Sequence, residues 1–343
     1  MVSALPVLDL KDASSFPSRR VEAWKYSDLR KFLREAPQPS PSASIPITGG
    51  GAFEALGGEA MVFVNGRPVD ASARVVSGEQ TVRLRLMSLA EGTGHTVAAR
   101  ISARAGARLL LLETHEGEGA GYVAHNRLEL DLAEDAEVTR IVLTDEPEDV
   151  LSVTQTTVRL ARGARYRQTI VASGAKLQRL ETEVSHPGHG ADVRLDGAYV
   201  LGDSRHADLT SVVDHLGREG TTSQLTKGVV KDTARGVFQG KIIVERGADE
   251  TDARMGHHAL ILSERGEVDA KPELIIYADE VQCAHGNTVG NLDQNALFYM
   301  QQRGLPLDEA RALLTAAFLM EVVDRIEHEG AREVVREWLT ARL

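Results

Sequence analysis

The feature that most limits the fold of this chain is a run of short, strand-like segments between about residues 61 and 293. Each has about four to seven residues rich in Val, Ile and Leu and closes on Gly, Asp, Asn or Glu, as β-strands do. No long amphipathic helix interrupts them, which argues against alternating β-α-β units. The chain is therefore predicted to be mainly β. The segments include MVFVNG, RLLLLETH, VTRIVLTD, GKIIVERG, HALILSERG and PELIIYAD.

A weak internal repeat runs through the same region. Pairs of small residues, each followed by a β-rich run, recur about every 27 to 29 residues. The pairs are Gly106-Ala107, Asp135-Ala136, Gly163-Ala164 and Gly190-Ala191. A solenoid needs such a unit, because each coil buries its apolar face only against its neighbours. An aromatic content of 4% suits a narrow interior filled by aliphatic side chains. We predict a parallel β-helix, and a β-sandwich is the alternative.

The two ends of the chain differ from the middle. The first region, up to about Glu35, has apolar residues at roughly helical spacing and is predicted to be helical. A linker rich in proline and serine follows at 36–51. Helical patterns return after the strands, with a helix predicted at 307–327 and Gly304 as a helix-ending residue before it. We predict an N-terminal helical segment with its linker (1–60), a β-helix core (61–292) and a C-terminal helical domain (293–343).

Charge and hydropathy exclude several classes of protein. The formal charge is −11, from 39 Lys and Arg against 50 Asp and Glu, which argues against a nucleic-acid binder. No apolar run reaches the roughly 18 residues that span a bilayer, and the N-terminus lacks a signal pattern. We therefore predict a cytoplasmic chain with no membrane partner. The phosphate-binding GxxxxGK[ST] pattern is missing, so the chain should not hydrolyse nucleotides itself.

Cys283 and His285 are the candidate metal ligands. They stand two apart in a predicted strand, so their side chains should share one face within roughly 7 Å of each other. Thiolate and imidazole both suit iron chemistry. The alternative is a buried small hydrophobe beside a hydrogen-bonded histidine. A single cysteine excludes an internal disulfide and a metal site built only from this chain's thiolates.

Three other residue pairs invite a metal or acid–base interpretation and are weaker. They are His257-His258, His186 with His189, and Asp214-His215. Adjacent strand residues face opposite sides, so only one histidine of the first pair can face a given site. The second pair is predicted to lie in a solvated turn. No nucleophile motif accompanies the third, and we predict no catalytic residue in this chain.

Three stretches carry a resemblance to a known family. They are RRVEAWKYSDLRKFL (19–33), KGVVKDTARGVFQGKIIV (227–244) and KPELIIYADEVQCAHGNTVGNLDQNALFYMQQRGL (271–305). With them the chain resembles the SufB/SufD family of the SUF iron–sulfur cluster assembly machinery. The segment Cys283-Ala284-His285-Gly286 and the single cysteine are similar to the SufD branch, since SufB typically has a HEAT-like run there and further cysteines.

The resemblance implies a fold and a function. The fold would be a right-handed parallel β-helix between an N-terminal helical part and a C-terminal helical domain. SufB would pair through the β-helices, and the ATPase SufC would dock on the C-terminal helices. The complex would accept sulfur, assemble a transient iron–sulfur cluster and pass it on, and some complexes of the family bind a reduced flavin. This chain would be a scaffold without turnover of its own.

The resemblance also implies site residues. His285 matches a family histidine proposed as a cluster ligand at the SufB–SufD interface, and Cys283 matches a nearby cysteine of less certain role. We expect ATP-driven dimerisation of SufC to pull on the C-terminal helices and open this interface. Isolated, the chain is expected to be a monomer or a homodimer through the same surface.

The chain departs from the family pattern in three places. Residues 254–258 replace a Gln/Asn-rich run, Ala284 replaces a common serine, and the N-terminal region is short. Two other functions stay open at this point. One is a β-helix enzyme acting on polysaccharides, which would need clustered carboxylates with a basic partner on an exposed face. The other is a purely structural partner in which Cys283 and His285 are inert.

Overall fold

The computed structural model describes residues 8–43 and 50–343. Residues 1–7 and the part of the predicted linker at 44–49 lie outside the described residues. The described chain forms 18 strands and four α-helices. The strands are β1 (Glu59–Val64), β2 (Arg67–Pro68), β3 (Ala73–Val76), β4 (Glu79–Ser88), β5 (Gly94–Ala103), β6 (Arg108–Gly117), β7 (Val123–Leu132), β8 (Glu137–Asp145), β9 (Leu151–Leu160), β10 (Arg165–Ala172), β11 (Leu177–His186), β12 (Asp192–Leu201), β13 (His206–His215), β14 (Thr221–Val230), β15 (Arg235–Val244), β16 (Asp252–Ile261), β17 (Glu267–Ile276) and β18 (Gln282–Gly290). The helices are α1 (Leu29–Phe32), α2 (Gln294–Gln302), α3 (Leu307–Val323) and α4 (Glu329–Thr340).

From β3 onward, consecutive strands alternate between two sheets. The first sheet has the order β18-β16-β14-β12-β10-β8-β6-β4-β1-β2, and the second has the order β17-β15-β13-β11-β9-β7-β5-β3. Neighbouring strands run parallel, except β1 with β2. A chain in which every second strand pairs in parallel winds as a solenoid, here of about eight coils. The predicted parallel β-helix is confirmed, and the β-sandwich is excluded.

The repeated small-residue pairs are corners of the solenoid. The first residue of each pair has a left-handed backbone, with φ of 67° at Gly106, 54° at Asp135, 65° at Gly163 and 67° at Gly190. Glycine and, less readily, aspartate accept this conformation. The alanine that follows each is buried before the next strand begins. Later coils use glutamate at the same corner, at Glu219, Glu250 and Glu280, with φ of 58°, 61° and 50°.

Aliphatic side chains fill the space between the two sheets. This interior core includes Val82, Leu84, Leu111, Leu130, Val138, Val193, Val213 and Ile242. Each coil adds one layer to it, because successive strands of a sheet place equivalent residues in register. The core reaches the last coil, where the partly buried Leu274 and Cys283 pack against it.

The N-terminal region is helical only in short pieces. It forms 3₁₀ turns at Ala13–Ser15 and Glu22–Trp24 and the four-residue α1. Trp24 is fully buried, and the Arg179 guanidinium lies 4.4 Å from the centre of its ring. The Ser27 hydroxyl donates to Asp208 Oδ2 at 2.5 Å. These contacts hold residues 8–43 against the second sheet in a mostly non-helical conformation, because tertiary packing overrides a weak helical propensity. We call this segment the N-terminal strap.

The C-terminal region contains the predicted helices. Asp293 caps α2 by accepting from the backbone amides of Asn295 and Ala296, and Gly304 after it has φ of 88°, as a helix-ending glycine should. Helix α3 ends at Val323, before the predicted end at 327. None of the helices within 8–43 and 50–343 is long and apolar enough to cross a membrane.

Helices α3 and α4 pack against the outer face of the first sheet. The shared apolar core includes Leu319, Val322, Val335 and Leu339 from the helices, Ile326 from the connection between them, and Val171, Ala198 and Leu225 from the strands. Two ion pairs join the same surfaces. Arg325 Nε lies 3.0 Å from Asp196 Oδ2, and Lys227 pairs with Glu321. The helices are therefore attached to the solenoid. Whether 1–60, 61–292 and 293–343 behave as separate domains stays a prediction.

Candidate functional site

The predicted strand around Cys283 and His285 is β18, the last strand of the first sheet. It pairs with β16 on one side only, and β17 is likewise the last strand of the second sheet. No further coil among the described residues lies over them. We call the uncovered inner side of β17 and β18 the open end of the solenoid.

The register between β16 and β18 fixes which residues face the open end. Cys283 lies opposite Ala253, and His285 lies opposite Met255. Both residues of β16 are buried in the interior core. Since in-register neighbours point the same way, Cys283 and His285 also point along the interior, where the core ends. The predicted shared face of the two side chains is confirmed, and their role as ligands stays a prediction.

The two candidate ligands differ in exposure. His285 is exposed, whereas Cys283 is half-buried. Burial raises the pKa of the Cys283 thiol, and a hydrogen bond with the Ala253 backbone opposes that rise. The thiol is therefore a poorer nucleophile than an exposed cysteine at neutral pH. Within the described ranges, no three His, Cys, Asp or Glu side chains come together as a metal site.

A buried series of hydrogen bonds connects the interior of the preceding coils to β18. Tyr199 Oη lies 3.0 Å from His257 Nε2, and His257 Nδ1 lies 2.7 Å from Asn287 Oδ1. Tyr199 and His257 are fully buried, while Asn287 is exposed on β18. Burial lowers the pKa of His257 to about 4, so the imidazole is neutral at physiological pH. Asn287 lies two residues after His285 and so faces the open end as well.

The outer face of the same two strands carries a separate pair. His258 Nδ1 lies 2.7 Å from Thr288 Oγ1, and both residues are at the surface. His257 and His258 thus address opposite sides of the sheet, as predicted from their adjacency. The pair His258–Thr288 is useful below as a control for substitutions at the open end.

The prediction of a solvated turn is wrong for His186 and agrees with the structure for His189. His189 is exposed, but His186 is fully buried at the end of β11, where its ring centre lies 4.1 Å from that of His215. His215 Nε2 lies 2.9 Å from Thr222 Oγ1 inside the solenoid. Asp214 points to the outer face, because adjacent strand residues alternate. Asp214 and His215 therefore do not form an acid–base pair.

A cavity of about 400 Å³ lies on the outer face of the second sheet, next to the N-terminal strap. Four of its six charged side chains pair with one another. Lys241 Nζ lies 3.5 Å from Glu273 Oε2, and Lys271 Nζ lies 3.4 Å from the same carboxylate. Lys271 also pairs with Glu22 of the strap. The Lys271–Glu22 pair holds the strap on the sheet.

Sequence inspection missed Asn287 and Tyr199. The signal was the coil length, since Asn287 follows His257 by 30 residues and Tyr199 precedes it by 58. These separations are about one and two repeats of the 27–29-residue unit. Extending the repeat beyond Gly190 would have placed Asn287 in register with His257. It would not have placed Tyr199 there, because Tyr199 is in register with Gly228 and Ala259, two residues further along the strands.

Comparisons with known proteins agree with this architecture. A family model described as "SUF system FeS cluster assembly, SufBD core domain" matches residues 87–318. The chain is 28% identical over 388 residues to the iron–sulfur cluster assembly protein SufD of Escherichia coli, covering 96% of this chain and 90% of that protein. It is 26% identical over 380 residues to an iron–sulfur cluster assembly SufBD family protein of Mycobacterium tuberculosis, covering 97% and 89%. A shorter match, 34% over 145 residues, covers 40% of this chain and 33% of SufD from Bacillus subtilis.

Proposed function

The chain belongs to the SufBD family of the SUF iron–sulfur cluster assembly system, and from that premise we propose that it is a scaffold subunit whose open end forms half of a cluster assembly site. The observation that carries the proposal is the position of Cys283 and His285. Both lie on the last strand of the solenoid and face its uncovered end. A thiolate and an imidazole there can bind iron as soon as a second protein covers that end.

The open end has the character of an interface. Its two outermost strands present unpaired backbone groups, which invite pairing with another chain. Ile276 and Val289, at the ends of β17 and β18, are 41% and 44% exposed. Since Cys283 and His285 supply only two ligands, the proposal assigns the remaining ligands to a SufB partner. A homodimer of the isolated chain would use the same surface.

We assign this chain no turnover of its own. Cys283 and His285 would hold the transient cluster as cargo and release it, so the subunit acts by binding and presentation. In the proposal the C-terminal helices dock the ATPase SufC. Two ion pairs with the first sheet, Lys227–Glu321 from α3 and Arg325–Asp196 from the connection after α3, would transmit a pull on the helices to the coils near the open end. A reduced flavin in the complex stays a prediction to which we assign no residue.

Replacing His285 with alanine should strongly lower the iron and acid-labile sulfide held by a complex reconstituted anaerobically with SufB and SufC partners. The fold should persist, because the side chain is exposed and contributes little to the core. The matched control is His258→Ala on the outer face of β16, which should leave cluster content at the wild-type level. Wild-type cluster content in the His285→Ala complex would show that the ligand role is wrong.

Thiol labelling reports directly on the open end, because Cys283 is the single cysteine of the chain. Its labelling rate should fall when a SufB partner binds, since the partner would cover the half-buried thiol. In a Cys283→Ser variant carrying Glu91→Cys at an exposed turn far along the chain, the rate should not change. An unchanged rate at Cys283 in the complex would place the interface elsewhere.

A further inference from the structure

The hydrogen-bond chain beneath β18 fixes the orientation of an exposed amide. Asn287 Oδ1 can only accept, so His257 Nδ1 carries the proton and donates to it across 2.7 Å. The Nε2 atom of the neutral ring is then an acceptor, and the Tyr199 hydroxyl donates to it across 3.0 Å. With Asn287 Oδ1 facing His257, the hydrogen bonds therefore run from Tyr199 through His257 to Asn287.

The packing around His257 leaves its ring little freedom. Phe238 stacks on it with ring centres 4.7 Å apart and planes 2° from parallel. Tyr199 has its own space, because Gly228 and Gly236 face its ring and an added Cβ at either would overlap it. Three residues of the KGVVKDTARGVF stretch thus fix the positions of the two buried side chains in this series of hydrogen bonds. Asn287 receives its hydrogen bond from a rigid donor.

The other end of the Asn287 amide is free. With Oδ1 bound to His257, the two Nδ2 hydrogens make no hydrogen bond to any residue in the described ranges. The side chain is exposed and shares the face of His285 at roughly 7 Å spacing along the strand. A fixed, unpaired N–H donor therefore lies beside the candidate ligands.

We propose that Asn287 is a further residue of this site, and that its amide donates an N–H···S hydrogen bond to an anionic sulfur of the cargo, sulfide or a cluster sulfide. The proposal rests on the proposed function of the open end. Tyr199 and His257 act as positioning residues, since they reach the sulfur only through Asn287. Hydrogen bonds to sulfur stabilise the more reduced cluster and so raise its reduction potential.

The reduction potential of the cluster in the reconstituted complex tests this role. Asn287→Ala removes the amide, and Asn287→Asp keeps an acceptor for His257 while removing the donor. Both should shift the potential to more negative values. His257→Phe keeps the ring stack without the hydrogen bond and should shift it the same way, whereas His257→Gln retains a donor and should restore it at least in part. The control Thr288→Val, on the outer face, should not move it.

A second measurement needs no cluster. In the isolated chain, ¹⁵N NMR of the histidine side chains should find His257 protonated at Nδ1, and Asn287→Ala should weaken that preference. Protonation at Nε2 would overturn the proposed direction of the chain. A cluster whose potential is unchanged in Asn287→Ala and His257→Phe would overturn the role of Asn287 alone. A wild-type complex that holds no cluster would overturn the proposed function and this role with it.

Discussion

Lowering the pH from 7.5 to 5.5 should reduce the free energy of unfolding by about 5–8 kcal/mol, most of the stability of a typical domain. The cause is a set of six histidines that are at most 8% exposed. Burial lowers the pKa of each below its usual 6.5. The values are about 4 for His95, His125, His186, His206 and His257, and about 2 for His215.

The sign follows from where the protons bind. At a pH between the folded and unfolded pKa values, these histidines are protonated in the unfolded chain but neutral in the folded chain. Lowering the pH therefore favours the unfolded state. Above pH 6.5 the effect vanishes, and below it each histidine contributes about 1.4 kcal/mol per pH unit. Asp196 opposes it, because burial, only partly offset by Arg325 and Arg194, raises its pKa to about 6. Burial also raises the pKa of Asp214 and of Glu183, and these three carboxyls together offset only part of the effect of the six histidines.

Urea unfolding followed by circular dichroism at pH 7.5 and 5.5 measures this effect. Replacing His215 with asparagine should reduce the pH dependence by about 1.4 kcal/mol at pH 5.5, the share of one histidine. Replacing His258, which is only half-buried on the outer face, with asparagine serves as the control and should leave most of the dependence in place. Equal midpoints at the two pH values in the wild type would contradict the buried, neutral state of these rings.

Replacing Arg140 with methionine should lower the free energy of unfolding by about 3–5 kcal/mol. Arg140 is fully buried inside the solenoid and donates to both oxygens of Glu113, at 2.8 and 2.9 Å. It also donates to Gln168 Oε1 at 2.7 Å. Burial alone would raise the pKa of Glu113, but Arg140 and His115 lower it to about 2. Without Arg140, a buried carboxylate would lose its main countercharge.

The double variant Glu113→Leu with Arg140→Met is the control for this ion pair. Replacing both partners of a buried pair by apolar groups often costs little, so it should recover most of the loss. Urea unfolding at pH 7.5 of the two single variants and the double variant gives the coupling energy between the two side chains. Additive losses, with no recovery in the double variant, would show that Arg140 acts through packing and not through Glu113.

The fold could be predicted from the sequence because each coil repeats a local signal. Gly106, Asp135 and Gly163 mark corners by their tolerance of a left-handed backbone, and the strands between them are apolar. The signal fades after Gly190, where Glu219 and Glu250 take the same corner. Those glutamates adopt positive φ because the neighbouring coils impose it, which is a tertiary effect that local propensity does not reveal.

The N-terminal segment and the histidines show the same limit. The apolar spacing around Trp24 suggested a helix, but contacts with Arg179 and the second sheet decide its course. His186 is the last residue of β11 and precedes a Pro-Gly turn, and it packs against His215, one coil away. Strand alternation did predict the shared face of Cys283 and His285. Strand alternation could not show that these side chains belong to the last coil, or that no further coil among the described residues covers them.

The most direct test of the account is to observe the ligand itself. This chain would be labelled with ¹⁵N-histidine, assembled with unlabelled SufB and SufC partners and loaded with a cluster that is then reduced to a paramagnetic state. Pulsed electron paramagnetic resonance should detect a ¹⁵N hyperfine coupling to the cluster in the wild type. The coupling should disappear in His285→Ala and persist in His258→Ala. A cluster that shows no ¹⁵N coupling from this chain, or one that keeps it in His285→Ala, would contradict the assignment of His285 as this chain's contribution to the site.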